Sequence, residues 1–290
     1  MRIELLIIDP QIDFCWPGIK EMVPNIPDEV LSFLEQTFPE LVKPGALFVP
    51  GADKDMNRLA EFIKRVREKL YDIHVTMDSH HNVDVAHPIF TMNASGQHPD
   101  PFTIITNEDV QKGKWTATNP GWREKFADYV KDLEKNGRYP LCVWPPHCLI
   151  GSFGYGIYPL LFQELLAWEE ARFGIVDKVT KGSNYFTEHY SAVQADVPDD
   201  EDPDTQLNEK LIRTLEEADM ILLAGEARSH CLANTVIDIA DNFGEESIKK
   251  MWLLEDATSD VPTFEFMGEE FVKNMVGRGM NITNTKDCLA

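Results

Sequence analysis

The sequence has little positive charge. Its 290 residues include 27 Lys and Arg against 49 Asp and Glu, which gives a formal net charge of −22 at pH 7. Nucleic acids and anionic membranes are bound largely through basic side chains that neutralise phosphates, so we expect neither as a partner. No apolar run approaches the roughly 20 residues of a membrane-spanning helix, and the N-terminus has no signal-peptide pattern. We therefore expect a cytoplasmic protein.

Cysteine is also scarce, and a glycine-rich phosphate loop is missing. Five scattered cysteines form no framework spacing, so we expect reduced thiols rather than disulfides. No Gly-rich loop follows the first predicted strand, which argues against nucleotide binding. With 43% hydrophobic residues and no evident linker or repeat, the chain is expected to form a single domain over residues 1–290.

Apolar runs of strand length alternate with stretches of helical periodicity. The predicted strands are 3–8, 73–77, 141–144, 175–179, 220–224 and 251–254, all expected to be buried on both faces. The predicted helices carry apolar stripes over 56–70, 122–133, 160–173, 207–215, 232–243 and 264–276. This alternation predicts an α/β three-layer sandwich: a mostly parallel six-stranded sheet flanked by helices, with ligands outside the carboxyl ends of its strands.

Three stretches do not fit the simple alternation, near 16–43, 91–138 and 187–204. We interpret them as insertions in one domain. Loops of this length in a compact domain are usually functional lids or assembly elements, and the sequence does not separate these two roles.

Cys231 stands where the predicted strand 220–224 has ended and the predicted helix 232–243 begins. The positive end of the helix dipole favours the thiolate there, which predicts a pKa below the free value of about 8.5. A lone cysteine is more often a small buried hydrophobic residue. Asp9 and Lys181, at the ends of two other predicted strands, favour the catalytic interpretation, because the carboxyl ends of parallel strands meet at one edge.

A second polar group combines Asp78, His80 and His147. Asp78 and His80 are two residues apart at the end of one predicted strand, and His147 follows another. Such side chains reach the same side of the sheet, where nitrogen and oxygen ligands can hold a metal with open coordination positions. His87 is a further candidate ligand. The alternative is an ordinary polar loop without a metal.

In this order, several segments resemble the nicotinamidases, within the isochorismatase-like cysteine hydrolase superfamily. The matching segments are 6–15, 45–53, 78–80, 144–148, 181–182 and 225–231. The Asp-Lys-Cys order is typical of the superfamily. The Asp-x-His and Trp-Pro-Pro-His-Cys segments are typical of its metal-binding nicotinamidase branch.

The resemblance implies an amide hydrolysis that converts nicotinamide to nicotinic acid and ammonia. Asp9 would take the proton of Cys231, Lys181 would stabilise the charged pair, and the thiolate would attack the amide carbon to form a thioester. The backbone N–H groups of Ala227 and Cys231 would form the oxyanion hole, aided by a cis peptide between Glu226 and Ala227.

The resemblance also implies a divalent metal that binds the pyridine nitrogen and orients the ring. Its protein ligands would be Asp78, His80 and His147, with His87 as a direct ligand or a neighbour. Zinc is the first expectation, and iron and manganese are alternatives because mixed N and O ligands do not discriminate among them. Phe14 and Trp144 would wall the substrate.

Two alternatives remain open at the level of the sequence. The first is another heterocyclic amide, or a ureido or carbamoyl compound, hydrolysed by the same chemistry, because the segments 16–43 and 91–138 emerge near the expected mouth of the site. The second is a metal-bearing binding protein without turnover. In each case the partner is a small molecule, and the resemblance is compatible with a homo-oligomer.

Overall fold

A six-stranded parallel sheet forms the centre of the protein in the computed structural model, which describes residues 1–136 and 139–290. The strands of the whole structure are β1 Ile3–Ile8, β2 Asp72–Asp78, β3 Thr91–Met92, β4 Ile104–Ile105, β5 Thr116–Ala117, β6 Leu141–Cys142, β7 Asp177–Lys181, β8 Met220–Gly225, β9 Met251–Leu254 and β10 Asn281–Thr283. The sheet order is β10-β9-β8-β1-β2-β7, and every neighbouring pair is parallel. Strand β1 is wholly buried because it has a neighbour on each edge and helices flank the sheet. The predicted three-layer α/β class is confirmed.

Helices follow most of the strands. Their bounds are α1 Ile12–Cys15, α2 Ile19–Met22, α3 Asp28–Thr37, α4 Pro39–Val42, α5 Ala52–Val66, α6 Asn107–Gln111, α7 Arg123–Asn136, α8 Pro159–Arg172, α9 Glu209–Glu216, α10 Cys231–Asn242, α11 Glu245–Ile248 and α12 Glu265–Arg278. Short 3-10 turns lie at Pro88–Phe90, Pro120–Trp122 and Pro203–Thr205. Helix α5 shows why the periodicity was informative. Its apolar residues Met56, Leu59 and Ile63 are all buried, and it begins after a left-handed Gly51.

The predicted strand 141–144 was assigned to the wrong sheet. Residues Leu141–Cys142 pair antiparallel with Ile104–Ile105 in a separate two-stranded sheet. Pro145 and Pro146 follow closely, and proline cannot donate a ladder hydrogen bond. The sixth strand of the main sheet is instead β10, which pairs with β9 and is too short and polar for its pattern to predict it.

Strand β7 also differs from the prediction. It covers Asp177–Lys181 rather than 175–179, and its residues alternate between buried or partly buried and exposed. The cause is its place at the edge of the sheet, where β2 is its partner in the main sheet. The shift makes Lys181 the last residue of the strand.

The three predicted insertions contain different structures. Segment 16–43 includes α2, α3 and α4. Segment 91–138 includes three short strands, α6 and α7. Its last residues, Gly137 and Arg138, lie outside the described residues. Segment 187–204 is mainly loop. Their status as insertions in one domain stays a prediction. Within the described ranges, no helix combines the length and apolar character needed to cross a membrane.

The sheet order brings four strand ends together. Strands β8, β1, β2 and β7 are consecutive, and their registers place Asp78 beside Lys181 and Ile8 beside Gly225. Asp9 follows β1 directly. The carboxyl edge of the sheet therefore gathers polar residues that lie far apart in the sequence.

Candidate active site

Lys181 lies at the centre of a buried group of charged side chains. Its Nζ is 2.9 Å from Oδ2 of Asp9, 3.0 Å from Oδ1 of Asp78 and 3.6 Å from Sγ of Cys231. All four residues are buried. The structure thus brings the three predicted catalytic residues into contact, with Asp78 as a fourth member of the group.

The backbone at the end of β1 orients Asp9. The residue has a φ of 42°, in the left-handed region that few residues other than glycine adopt. Its N–H donates to Oγ1 of Thr76 over 2.9 Å, and the Thr76 hydroxyl donates back to Oδ1 of Asp9 over 2.5 Å. The second carboxylate oxygen, Oδ2, therefore remains directed to Lys181.

Asp78 is held by Gln11 and by the turn that follows Lys181. The Asp78 N–H donates to Oε1 of Gln11 over 2.7 Å, and Nε2 of Gln11 donates to the Asp78 carbonyl over 2.8 Å. Gly182 has a φ of +82°, and a Cβ there would lie 2.9 Å from Oδ1 of Asp78. Only glycine allows the chain to leave β7 this close to the carboxylate.

The pKa of Cys231 departs from the prediction. Cys231 is the first residue of α10, as expected for a thiol near a helix N-terminus. Burial nevertheless raises the pKa of the Cys231 thiol well above its usual range, and Lys181 only partly opposes this effect, while the Asp9 carboxylate adds to it. The prediction of a lowered pKa was wrong because the thiol is buried beside carboxylates. Ionisation of this thiol requires a base in contact with it.

Asp9 is suited to be that base. Burial raises the pKa of the Asp9 carboxyl, Lys181 acts in the opposite direction, and Asp78 adds to the increase. A carboxylate with a raised pKa is a stronger proton acceptor than an exposed one. Asp9 and Cys231 both contact Nζ of Lys181, which places the carboxylate close to the thiol.

Asp78, His80 and His147 form a compact cluster of ligand atoms. Oδ2 of Asp78 lies 3.0 Å from Nε2 of His80 and 3.4 Å from Nε2 of His147, and the cluster's ligand atoms all lie within 4.8 Å of one another. Burial acts to raise the pKa of Asp78, but His80 and Lys181 outweigh it and hold the pKa well below its usual range. The Asp78 carboxylate is therefore ionised and available as a ligand.

The other ring nitrogens of the two histidines have partners that suit metal ligation. Nδ1 of His147 lies 2.9 Å from the carbonyl oxygen of Pro145, so it carries the hydrogen and leaves Nε2 with a lone pair. Nδ1 of His80 lies 3.0 Å from Oδ2 of Asp84. A carboxylate behind a ligating histidine is a recurrent feature of metal sites. The donor set fits a divalent cation.

His87 borders this cluster. Its Nδ1 lies 3.1 Å from the carbonyl oxygen of His81, and its Nε2 is buried without a hydrogen-bond partner among the described residues. Its ring centroid is 5.2 Å from that of His80 and 5.6 Å from that of His147. Burial lowers the pKa of His87 to about 4, so the ring is neutral at pH 7. Whether it ligates directly stays a prediction.

A largely apolar cavity opens beside the cluster and the thiol. Of the predicted site residues, it is lined by Phe14, Asp78, His80, Trp144, His147, Lys181, Ala227 and Cys231, whereas Asp9 and His87 lie behind that wall. The Phe14 ring meets His147 edge-on at 5.4 Å between centroids. Nε1 of Trp144 donates to the hydroxyl of Tyr190 over 3.0 Å, which fixes the indole plane.

The backbone near Cys231 has unused donors. The Glu226–Ala227 peptide is cis, as the resemblance implies. The Ala227 N–H donates to no acceptor in the described part of the chain, and Cys231 opens a helix, whose first N–H groups have no intrahelical partner. Both residues line the cavity.

Sequence reasoning missed several polar and aromatic residues of the wall: Glu188, His189, Tyr190 and His230. Burial raises the pKa of Glu188 to about 8 and lowers the pKa of His189 to about 3. The first three belong to the segment 187–204 that follows β7. This segment follows β7, whose end lies at the site, and that position was the available signal. The sequence pattern did not indicate which side chains of the segment line the cavity.

The comparisons with known proteins concern the fold. No protein-family model and no curated protein matches the sequence. Among solved structures, the yeast nicotinamidase has a TM-score of 0.60 and 15% identity, over 97% of this chain and 99% of its own. The pyrazinamidase of Pyrococcus horikoshii in complex with zinc has a TM-score of 0.52 and 17% identity, over 98% of this chain and 99% of its own. A protein from L. infantum in complex with nicotinate has a TM-score of 0.55 and 17% identity, over 98% of this chain and 93% of its own. The chain has the three-layer α/β fold of nicotinamidases and pyrazinamidases.

Proposed function

We propose that the protein is a cysteine-dependent amide hydrolase that converts nicotinamide to nicotinic acid and ammonia. The observation that carries the proposal is the buried contact of Lys181 with Asp9 and Cys231, at the base of a cavity beside a cluster of metal-type ligands. The fold shared with nicotinamidases supports the same activity. Such an enzyme would return nicotinamide to NAD synthesis in the cytoplasm.

The first half of the reaction forms a thioester. Asp9 accepts the Cys231 proton as Sγ attacks the amide carbon, and Lys181 balances the negative charge that moves between them. The carbonyl oxygen becomes an oxyanion, to which the N–H groups of Ala227 and Cys231 donate. The carbon–nitrogen bond then breaks, Asp9 returns its proton to the leaving nitrogen, and ammonia departs.

The second half releases the acid. A water molecule gives a proton to Asp9 and attacks the thioester carbon, the same two N–H groups stabilise the oxyanion, and the carbon–sulfur bond breaks. The proton on Asp9 returns to the thiolate of Cys231. The enzyme is regenerated, and the products are one carboxylic acid and one ammonia per amide and water.

Asp78, His80 and His147 would hold a divalent cation, with His87 as a further ligand or a neighbour. When bound, the cation supplies a Lewis-acid contact that orients the pyridine nitrogen. Zinc is proposed because a structure of the same fold is in complex with it. Phe14 and Trp144 would confine the ring from the apolar sides of the cavity.

The test is ammonia release from nicotinamide by the zinc-loaded protein. We expect turnover by the wild type and almost none by Cys231→Ala, which should remain folded by circular dichroism, because the substitution removes one sulfur atom from a buried site. Asp100→Asn, at an exposed position outside the cavity, serves as a mutagenesis control for activity.

Equal ammonia release by wild type and Cys231→Ala would refute the mechanism. If the wild type does not act on nicotinamide, the same assay with other heterocyclic amides and with ureido and carbamoyl compounds decides between a different substrate and a binding protein. Turnover of one of these by the wild type alone retains the cysteine chemistry and changes the substrate.

A further inference from the structure

Glu226 is a buried acid that neither half of the proposed reaction uses. It follows β8 directly and precedes Ala227, whose N–H is one of the two proposed oxyanion donors. Its side chain is buried behind the wall of the cavity. Burying a carboxyl group costs free energy unless its oxygens are hydrogen-bonded, so the contacts of this side chain indicate what it does.

Ser259 is hydrogen-bonded to both neighbours of Ala227. The Ser259 N–H donates to Oε2 of Glu226 over 3.0 Å, and the Arg228 N–H donates to the carbonyl oxygen of Ser259 over 2.8 Å. The Ala227 N–H belongs to the peptide unit that joins Glu226 to Ala227. A displacement of Glu226 therefore moves this donor directly.

Ser259 is itself held against α5. Its hydroxyl donates to Oδ2 of Asp55, and Nε of Arg58 on the same helix donates to the carbonyl oxygen of Asp256. The chain also passes close to Gly51, where a Cβ would lie 2.8 Å from Oγ of Ser259. Ser259 is thus fixed relative to α5, and the turn that contains Ala227 is fixed relative to Ser259.

The charge states of the two acids suit this arrangement. Burial raises the pKa of the Glu226 carboxyl well above its usual range, and the Asp55 carboxylate adds to the increase. Arg58 forms an ion pair with Asp55, so the negative charge is on Asp55 and Glu226 is a neutral acid. A neutral carboxyl that accepts one N–H through Oε2 can be replaced by the amide of glutamine.

We propose that Glu226 is a positioning residue for the oxyanion hole, because its hydrogen bond with the Ser259 N–H holds the Ala227 N–H in the orientation in which it donates to the oxyanion. The inference rests on the proposed function. The oxyanion forms in both halves of the reaction, whereas the bound amide carries little charge on its oxygen. Loss of the Glu226–Ser259 bond should therefore lower kcat and leave the KM for nicotinamide nearly unchanged.

Three substitutions separate this hydrogen bond from the volume and the acidity of the side chain. Glu226→Gln keeps the length and the oxygen acceptor. Glu226→Met keeps the length but has no oxygen to accept the Ser259 N–H. Glu226→Asp keeps the acid but is shorter by one methylene, which withdraws the acceptor from Ser259. The same Gln and Met substitutions at the exposed Glu255, in the segment before Ser259, are the matched controls.

The first measurement is kcat and KM for nicotinamide. We expect Glu226→Met to lower kcat by about 10- to 100-fold, because a misplaced donor costs up to the roughly 10²–10³ of a deleted one. Glu226→Asp should lower kcat by about tenfold, and Glu226→Gln should stay within about threefold of the wild type. The KM should change by less than about threefold in all three variants, and both Glu255 variants should match the wild type.

An aldehyde analogue provides a readout apart from turnover. The Cys231 sulfur adds to the carbonyl carbon of pyridine-3-carbaldehyde, Asp9 takes the thiol proton, and the former carbonyl oxygen becomes an oxyanion that the same two N–H groups stabilise. The inhibition constant of the aldehyde should rise in Glu226→Met by about the factor by which kcat falls. The inhibition constant of nicotinic acid, which forms no such adduct, should not change.

A wild-type kcat in Glu226→Met and Glu226→Asp, with nicotinamide hydrolysed normally, would overturn the role of Glu226 and leave the proposed function intact. An equal loss of kcat in Glu226→Gln and Glu226→Met would also overturn it, since the hydrogen bond would then not be what matters. If Glu226→Met does not fold, Glu226→Asp decides by the same criterion. Absence of turnover by the wild type would overturn the proposed function and this inference together.

Discussion

At the scale of single residues, Asp78 links the two halves of the candidate site. One of its oxygens contacts Lys181, which also contacts Asp9, and the other contacts His80 and His147. A substitution in the histidine cluster therefore changes the electrostatic environment of the Cys231 thiol. Asp78 in turn depends on Asp84, whose carboxylate orients the far side of the His80 ring.

We expect Asp84→Asn to weaken the affinity for zinc by about 10- to 100-fold, because carboxylates behind ligating histidines typically have effects of this size. The measurement is a competition titration with a chromogenic chelator. Excess zinc should restore most of the activity, since Asp84 does not contact the cavity. The exposed Asp100→Asn is the matched control, and an unaltered zinc affinity in Asp84→Asn would contradict the prediction.

At the scale of elements, the amino-terminal edge of the sheet contains an ionic group opposite to the candidate site. His74 on β2 lies 2.9 Å from Glu4 on β1 through Nε2 and 2.9 Å from Asp177 on β7 through Nδ1. Burial acts to lower the pKa of His74, but the two carboxylates outweigh it and raise the pKa above 6.5. A protonated His74 thus joins the three strands at their starts.

The raised pKa predicts how this group contributes to stability. Its contribution is fully present below the unfolded pKa of about 6.5 and is lost as the pH rises through the raised folded value, because the folded state then releases the proton it had bound more tightly. The free energy of unfolding of the wild type should therefore exceed that of His74→Gln by more at about pH 6 than at about pH 9. Urea unfolding at both pH values measures the difference. The exposed His98→Gln should show no such trend, and a gap that widens with pH would disprove the assignment.

At the scale of the whole molecule, the charge of −22 acts on stability as well as on partners. Many of the acidic side chains are exposed, and their mutual repulsion destabilises the compact state. Salt shortens the range of this repulsion from about 30 Å at 0.01 M to about 10 Å at 0.1 M.

We therefore expect the melting temperature of the metal-free protein to rise when KCl increases from about 0.01 M to about 0.1 M. Scanning calorimetry gives the measurement, and an equal osmolarity of glycerol is the control for effects unrelated to charge. A melting temperature that stays level or falls with salt would show that local ion pairs outweigh the net repulsion.

The sequence predicted an element correctly where the element has a regular apolar pattern of its own. It failed where the element depends on a pairing partner elsewhere in the chain. Helix α5 and strand β1 were predicted well because each has a long and regular apolar pattern. Strand β10 has three residues and depends on β9 for its pairing, so its own pattern carried no signal. The segment at Leu141 was given to the main sheet because an apolar run does not specify its partner.

The sequence by itself determined the α/β class, the positions of Asp9, Asp78 and Lys181 at the ends of strands and the position of Cys231 at the start of a helix, because apolar periodicity and strand length are local properties. Only the tertiary structure decided that Lys181 contacts all three of the others, that burial raises the pKa of the thiol, and that His189 lines the cavity. These features depend on contacts and desolvation among residues far apart in the chain. No local pattern encodes them, and they arise when the strands assemble.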